Sequence, residues 1–136
     1  MTANDVTEYP EAWEEWVAFL TAHLPEPIRE ETALPGVTFF TAGDPPEVGV
    51  RLSHSSITVL GFTSDPQGAV LRPRRLGIIM WPQLASGKAM ALVAGLIGSA
   101  REMRLATYRQ CYVCEKMKPP EQMYEEDVCH ECARER

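Results

Sequence analysis

The chain has 136 residues and a formal net charge of −6, with 45% hydrophobic and 24% charged side chains. This length suits one globular domain with a small appendage, and the apolar content and charge are ordinary for a soluble globular protein. The first residues, Met1 to Glu8, lack a basic stretch followed by an apolar run. We therefore expect no export signal and a reducing, cytoplasmic location.

Charge is spread unevenly along the sequence. Residues 1–34 hold eight acidic side chains and one basic side chain, and residues 110–136 are also net acidic. Between these acidic ends lies a set of basic side chains: Arg72, Arg74, Arg75, Lys88, Arg101, Arg104 and Arg109. We expect an ordinary solvated surface here, although such a surface is also able to contact phosphate.

Residues 7–24 predict an amphipathic helix. Thr7 is a competent N-cap, and glutamates follow it where the helix dipole favours negative charge. Apolar side chains then recur at three- and four-residue steps before Pro25: Tyr9, Trp13, Trp16, Val17, Leu20 and Leu24. We expect this stripe to pack into a core and not to form a ligand cage.

Residues 36–81 predict an antiparallel sheet, after a proline- and glutamate-rich segment at 25–35 that we interpret as a connector. The β-prone runs cover residues 36–41, 48–53, 57–62, 70–72 and 76–81. Asp65-Pro66-Gln67-Gly68 has the composition of a type I turn, and Pro73 indicates an edge strand or a break. Because turns recur and no helical pattern intervenes, we predict a meander of four to five strands.

Residues 84–107 predict a second, longer helix. Its segment from Ala89 to Ala100 has no charged residue. That segment is too short for a bilayer, which needs about twenty residues, so we expect a buried core helix and no membrane association. Ala91, Gly95 and Ser99 recur at four-residue spacing and predict a face that the sheet or another backbone approaches closely.

All four cysteines lie near the C-terminal end, in two Cys-x-x-Cys pairs, Cys111/Cys114 and Cys129/Cys132. Each pair can place two sulfurs on one metal, so the pattern predicts a tetrahedral four-thiolate site. Four thiolates leave no position for water or substrate, which predicts one structural zinc ion. Iron with the same ligands is an alternative, as are a redox pair and two disulfides. We expect His130 to be a neighbour of this site and not a ligand.

Residues 109–136 resemble the four-cysteine treble-clef and zinc-ribbon modules, and the four cysteines carry the resemblance. In such modules the first pair lies in a knuckle, and in treble clefs the second pair lies at the start of a helix. Glu115 departs from the pattern, because a glycine commonly follows the knuckle there, so we expect a strained or differently shaped turn. The resemblance covers about a fifth of the chain and extends to no family for residues 1–105.

These patterns together predict an α+β fold: an N-terminal helix, an antiparallel meander, a long buried helix and a small zinc module. We expect residues 1–108 to form the α+β domain and residues 109–136 to form the four-cysteine module. Because the second helix runs almost directly into Tyr108 and Arg109, we expect the module to be docked rigidly on the domain.

The function favoured by these patterns is that of a cytoplasmic, non-enzymatic zinc protein that interacts with another protein. A filled metal site, an acidic overall charge and the lack of catalytic sequence motifs support this interpretation. Residues 115–128, for example, contain no histidine of the kind that treble-clef nucleases use. The alternative is a nucleic-acid-binding regulator that uses the basic surface at Arg72–Arg75 and Arg101–Lys118. Its candidate contacts are Arg72, Arg74, Arg75, Arg101, Arg104 and Arg109.

Overall fold

The computed structural model describes residues 2–64 and 70–135, with side chains described from residue 12 onwards. In chain order it contains α1 (Thr2–His23), β1 (Ile28–Leu34), β2 (Val37–Ala42), β3 (Val48–Ser53), β4 (Ile57–Ser64), β5 (Leu71–Ile79), a 3₁₀ turn (Trp81–Gln83) and α2 (Ser86–Leu105). The C-terminal part contains β6 (Arg109–Gln110), β7 (Met117–Lys118), a 3₁₀ turn (Pro120–Gln122), β8 (Met123–Glu125), β9 (Val128–Cys129) and α3 (His130–Glu135). The predicted turn at 65–68 and the side chain of Tyr9 lie outside the described residues.

The first five strands form one antiparallel sheet in the order β1-β2-β3-β4-β5. Each strand pairs with its neighbours in sequence, which confirms the predicted α+β fold and the meander with five strands. β5 lies at an edge of the sheet, as Pro73 indicates, because an edge strand tolerates a residue without a backbone N–H.

Two strand predictions are wrong. The segment interpreted as a connector contains β1, whose side chains are mostly exposed, including Glu30 and Glu31. A charged edge strand lacks the apolar alternation by which a half-buried strand is identified. The runs at 70–72 and 76–81 belong to one strand, β5, which continues through Pro73.

Both long helices pack on the same face of the sheet and share one core with it. The predicted stripe supplies Trp16 and Leu20 of α1 to this core, together with Leu24 just after the end of α1, and Trp13 and Val17 pack against it. The Trp81 ring, in the 3₁₀ turn after β5, lies 6.2 Å from the Trp16 ring. The buried core consists of Trp16, Leu20, Leu24, Phe40, Ala42, Val48, Val50, Leu52, Ile57, Val59, Trp81, Ala89, Val93, Ile97 and Ala100.

α2 buries one face only. Its buried residues recur every three or four positions, as one helix face requires: Ala89, Val93, Ile97, Ala100 and Arg104. The expectation of a buried core helix therefore holds for this face alone. None of the helices in the described part of the chain is both long and apolar enough to cross a membrane.

The predicted close approach at the small-residue face of α2 is wrong. Ala91 and Ser99 are exposed, and a Cβ at Gly95 would meet no described atom within 4 Å. The close approach between helix and sheet occurs instead at Gly77 of β5, where a Cβ would lie 2.9 Å from Leu96 Cδ1. The glycine that this contact requires is therefore on the strand.

A buried ion pair holds the C-terminal part against the domain. Arg104 is only 1% exposed. Its Nη1 donates to Glu121 Oε1 at 3.1 Å, its Nη2 donates to Glu121 Oε2, and its Nε donates to Pro46 O at 2.9 Å. Ser64 Oγ donates to the same carboxylate at 2.6 Å. One polar cluster, which we call the clamp, thus joins α2, the β2–β3 turn, the end of β4 and the 3₁₀ turn before β8.

The contacts of the clamp hold the Glu121 carboxylate in its ionised form. Burial raises the pKa of Glu121, but hydrogen bonds from Arg104 and Ser64 outweigh this effect and keep the pKa below its ordinary value. The Tyr108 ring lies beside the guanidinium, with Arg104 Cζ 5.3 Å from the ring centroid, which adds a cation–π contact. These contacts give the docking of the C-terminal part a physical basis, while the boundary between residues 108 and 109 stays a prediction.

We expect Glu121→Ala to destabilise the protein by about 3 kcal/mol, because it leaves a guanidinium buried without its counter-charge. Urea unfolding followed by circular dichroism measures this difference. The matched control is Glu126→Ala, which removes an exposed ion pair with Arg109 at 3.2 Å and should cost less than about 0.5 kcal/mol. Equal losses in the two variants would contradict a clamping role for Glu121.

Candidate metal centre

The first cysteine pair lies in a tight turn between two short strands. β6 and β7 pair antiparallel, with Arg109 opposite Lys118. Within the turn, Cys111 N donates to Lys116 O at 2.9 Å, and Glu115 N donates to Cys111 O at 2.8 Å. These backbone hydrogen bonds fold residues 111–116 into a knuckle with Cys111 at its start and Cys114 near its tip.

The second cysteine pair spans a junction between a strand and a helix. β8 and β9 form a hairpin with Met123 opposite Cys129. α3 begins at the next residue, so Cys132 lies in its first turn. A hydrogen bond from Tyr112 N to Asp127 O ties the hairpin to the knuckle, at 2.6 Å. This bond brings the two pairs face to face.

The structure brings the four predicted sulfur ligands together. The Sγ atoms of the four cysteines all lie within 4.8 Å of one another, and those of Cys114 and Cys129 are 4.0 Å apart. For zinc–sulfur bonds of about 2.3 Å, the corners of a tetrahedron lie about 3.8 Å apart. The four cysteines are therefore positioned to bind one metal ion.

The electrostatics of the cluster also fit a cation. The backbone N–H groups of Cys114 and Cys129 donate to Cys111 Sγ, at 3.5 and 3.4 Å, and lower the pKa of Cys111 to about 6. In contrast, burial and the neighbouring sulfurs raise the pKa of Cys132 to about 12. A thiophilic dication would remove this conflict, because it allows all four sulfurs to be thiolates at once.

His130 lies beside the cluster and is exposed to solvent. Its ring packs edge-on against Tyr124, with centroids 5.8 Å apart, and the group of residues positioned for a metal consists of the four cysteines. His23 bonds to a carbonyl of its own helix, and the His54 ring lies 4.8 Å from the Trp13 ring. The three histidines therefore lie in three separate places.

The knuckle contains the backbone strain that the sequence predicts. Glu115 has a φ of 64°, in the left-handed region that costs a residue with a Cβ about 1–2 kcal/mol. Its carbonyl accepts a hydrogen bond from Gln110 Nε2 at 3.0 Å. The turn thus keeps its shape with glutamate in a position that suits glycine.

The predicted nucleic-acid contacts fall into two groups. Arg72, Arg74 and Arg75 are exposed along the edge strand β5. The other three form ion pairs: Arg101 with Glu47 at 2.9 Å, Arg109 with Glu126 at 3.2 Å, and Arg104 with Glu121. Their charges are neutralised locally, so they do not extend the arginines of β5 into one basic surface.

Sequence reasoning missed Glu121, which lies on the loop between the cysteine pairs and anchors it. A signal for its partner was nevertheless present in the sequence. Arg104 continues the spacing of the buried residues Val93, Ile97 and Ala100 along α2. An arginine on the buried stripe of a helix predicts a buried counter-charge elsewhere in the chain.

We expect Glu115→Gly to strengthen metal retention about fivefold, because glycine relieves roughly 1 kcal/mol of left-handed strain in the knuckle. Competition with a chelator, monitored by the release of metal from the protein, measures this change. The matched control is Glu115→Ala, which removes the same carboxylate but keeps the Cβ and should give no gain. A gain from alanine equal to that from glycine would assign the effect to charge.

Comparisons of this chain with protein-family models, with curated proteins and with solved structures found no match. The geometry of the four-cysteine site and of the surfaces around it is therefore the basis on which a function is assigned.

Proposed function

We propose that this protein binds one structural zinc ion and uses the C-terminal module that the ion stabilises to contact another protein. The observation that carries the proposal is the convergence of four cysteine sulfurs within 4.8 Å of one another. Four thiolates fill a tetrahedral zinc site. The ion would therefore support structure and would not bind a substrate.

The small interior of the module supports a structural role for the metal. Its buried hydrophobic cluster consists of Cys111, Val128, Cys129 and Cys132. Three of these four residues are sulfur ligands, so the apolar part of the cluster is little more than one valine. A core of this size cannot offset the entropy of folding, and metal binding supplies the missing free energy.

The order of elements supports a treble-clef arrangement. A knuckle at β6–β7 comes first, a hairpin at β8–β9 follows, and α3 carries the last ligand, Cys132. The second cysteine pair thus straddles the start of a helix, which is the feature that separates treble clefs from ribbons in the resemblance. α3 has only six residues, so the module is a compact version of this arrangement.

The knuckle presents a surface suited to a protein partner. Its large apolar side chains point to solvent: Tyr112 is 77% exposed, Val113 48% and Met117 57%. Aromatic residues and methionine are enriched at protein interfaces. A metal-held turn also presents them with little loss of conformational entropy on binding. We call these three residues the knuckle surface.

Nucleic-acid binding is the second candidate function. Its predicted surface between Arg101 and Lys118 is weakened by the ion pairs of Arg101, Arg104 and Arg109. The exposed arginines of the sheet are the specific observation that still favours it.

We expect purified, reduced protein to contain one zinc ion per chain by elemental analysis. Cys129→Ser should lose this ion, because the site then has only three thiolates, while the matched neighbour substitution His130→Ala should retain it. Retention of zinc by Cys129→Ser, or a metal-free reduced wild-type protein, would contradict the proposal. A coloured protein that contains iron would show that the same site binds iron and not zinc.

We expect a photo-reactive amino acid at position 112 to form discrete cross-links with a partner protein in cells that express the full chain. The same amino acid at position 30, exposed on β1, is the control. Combination of the position-112 probe with Cys129→Ser should abolish the adducts, because the knuckle needs the metal. Adducts that are equal at both positions would remove the knuckle surface as the contact site.

A further inference from the structure

One face of the five-stranded sheet carries neither long helix, and we call it the open face. The helices pack on the side of Phe40, Val50 and Val59, which are fully buried. Because successive side chains of a strand point to opposite faces, the residues between these point away from the helices. By strand register the open face includes Arg29, Glu31, Phe39, Thr41, Gly49, Arg51, Thr58, Leu60, Phe62, Arg75 and Ile78.

Aromatic and basic side chains alternate across the open face. Phe39 and Phe62 are partly exposed, and neither belongs to the helix-side core. Arg51 lies directly opposite Phe39 in the neighbouring strand, and Arg75 lies directly opposite Leu60. Guanidinium groups are thus interleaved with apolar side chains on one surface.

Gly49 has no side chain, so it leaves room on the open face for the side chains of the neighbouring strand. A Cβ at Gly49 would lie 3.5 Å from both Phe62 Cζ and Leu60 Cδ1. The Phe62 ring therefore reaches from β4 over the backbone of β3. A ring that extends across the neighbouring strand is able to stack with a planar group that lies on the sheet.

The open face is basic although the chain has a net charge of −6. Among the described residues that the register places on it, three are basic, Arg29, Arg51 and Arg75, and one is acidic, Glu31, opposite Phe39. Among the described residues no carboxylate forms an ion pair with any of these three arginines. Glu14 and Glu15 are exposed on α1, and α1 packs on the other side of the sheet. The charge of the open face is therefore complementary to a polyanion.

We propose that the open face binds single-stranded nucleic acid, with its arginines on phosphates and with Phe39 and Phe62 stacked on bases. Five strands about 4.8 Å apart give a platform about 19 Å across, which is too broad for a duplex major groove of about 12 Å. Bases are free to stack on aromatic side chains when they are unpaired. An acidic polypeptide would satisfy the arginines but would leave the two rings without a role.

This inference goes beyond the metal-held module, because the open face lies on the sheet. It also relocates the nucleic-acid surface that the sequence predicts. Of the predicted contacts, Arg75 belongs to the open face, whereas Arg101, Arg104 and Arg109 are engaged by carboxylates. Arg29 and Arg51 take their place.

The test uses full-length, metal-loaded protein and fluorescently labelled oligo-U and oligo-dT of about 12 nucleotides. Anisotropy titrations should show binding to both, and a duplex of the same length should bind more weakly. If three phosphates are contacted, affinity should fall about 20-fold between roughly 50 and 200 mM salt. Phe39→Leu and Phe62→Leu should each weaken binding about tenfold through lost stacking.

A matched pair of substitutions separates the open face from general charge. Arg75 and Arg74 are adjacent on β5, but Arg75 lies opposite Leu60 and Arg74 opposite Gly61, on the other side of the sheet. Arg75→Gln should weaken binding several-fold. It should also reduce the slope of log affinity against log salt concentration by about 0.7, the value for one phosphate contact on a single strand. Arg74→Gln should have a much smaller effect. Both positions are exposed, so neither substitution endangers the fold.

Three results would overturn the proposal. One is no binding at about 50 mM salt, where phosphate contacts are strongest. Another is an equal effect of Arg74→Gln and Arg75→Gln. The third is tight binding of labelled poly-glutamate that the phenylalanine substitutions leave unchanged, which would make the open face a site for an acidic polypeptide. Zinc content is measured on the same samples, so failure here is distinguishable from failure of the metal site.

Discussion

A guanidinium withdrawn from water at the end of α2 connects the two parts of this protein. Within the described part of the chain, Arg104 forms an ion pair with one carboxylate, and that carboxylate, on Glu121, belongs to the loop between the two cysteine pairs. A buried charge without a partner is far more costly than a lost surface contact. The domain therefore depends on the loop for a counter-ion, and the loop depends on the domain for a fixed position. A metal ion that orders the loop would stabilise both.

Much of the fold could be predicted because its signals are local. The stripe of Trp16, Leu20 and Leu24 and the alternation of Val48, Val50 and Leu52 each report burial on one face of one element. β1 was missed because an edge strand exposes its charged side chains. The uncharged run in α2 did not predict which of its residues contact the sheet, because a lack of charge does not distinguish the buried face of a helix from its exposed face. Those contacts depend on the sheet, which the helix sequence does not describe.

The same distinction applies to the functional surfaces. Four cysteines at fixed spacing identify a metal-binding arrangement because the two cysteines of each Cys-x-x-Cys pair lie in one tight turn, where both sulfurs can reach the same metal. The arginines carry no such restriction. Arg101 meets Glu47, which lies 54 residues away in the chain, and such pairings follow from tertiary structure alone. The open face was likewise invisible in the sequence, since Phe39 and Phe40 look alike until the register places them on opposite sides of the sheet.

The order of the strands has a consequence for how the chain acquires its structure. Because each of β2 to β5 pairs with the strand made just before it, the five-stranded sheet forms from neighbouring segments of the chain. Arg104 is synthesised before Glu121, so the five strands and α2 emerge before the carboxylate that pairs with this guanidinium. Residues 111–132, which are synthesised after α2, then supply the carboxylate and the four cysteine sulfurs together. Synthesis of Glu121 thus supplies the counter-charge with which the Arg104 guanidinium is buried.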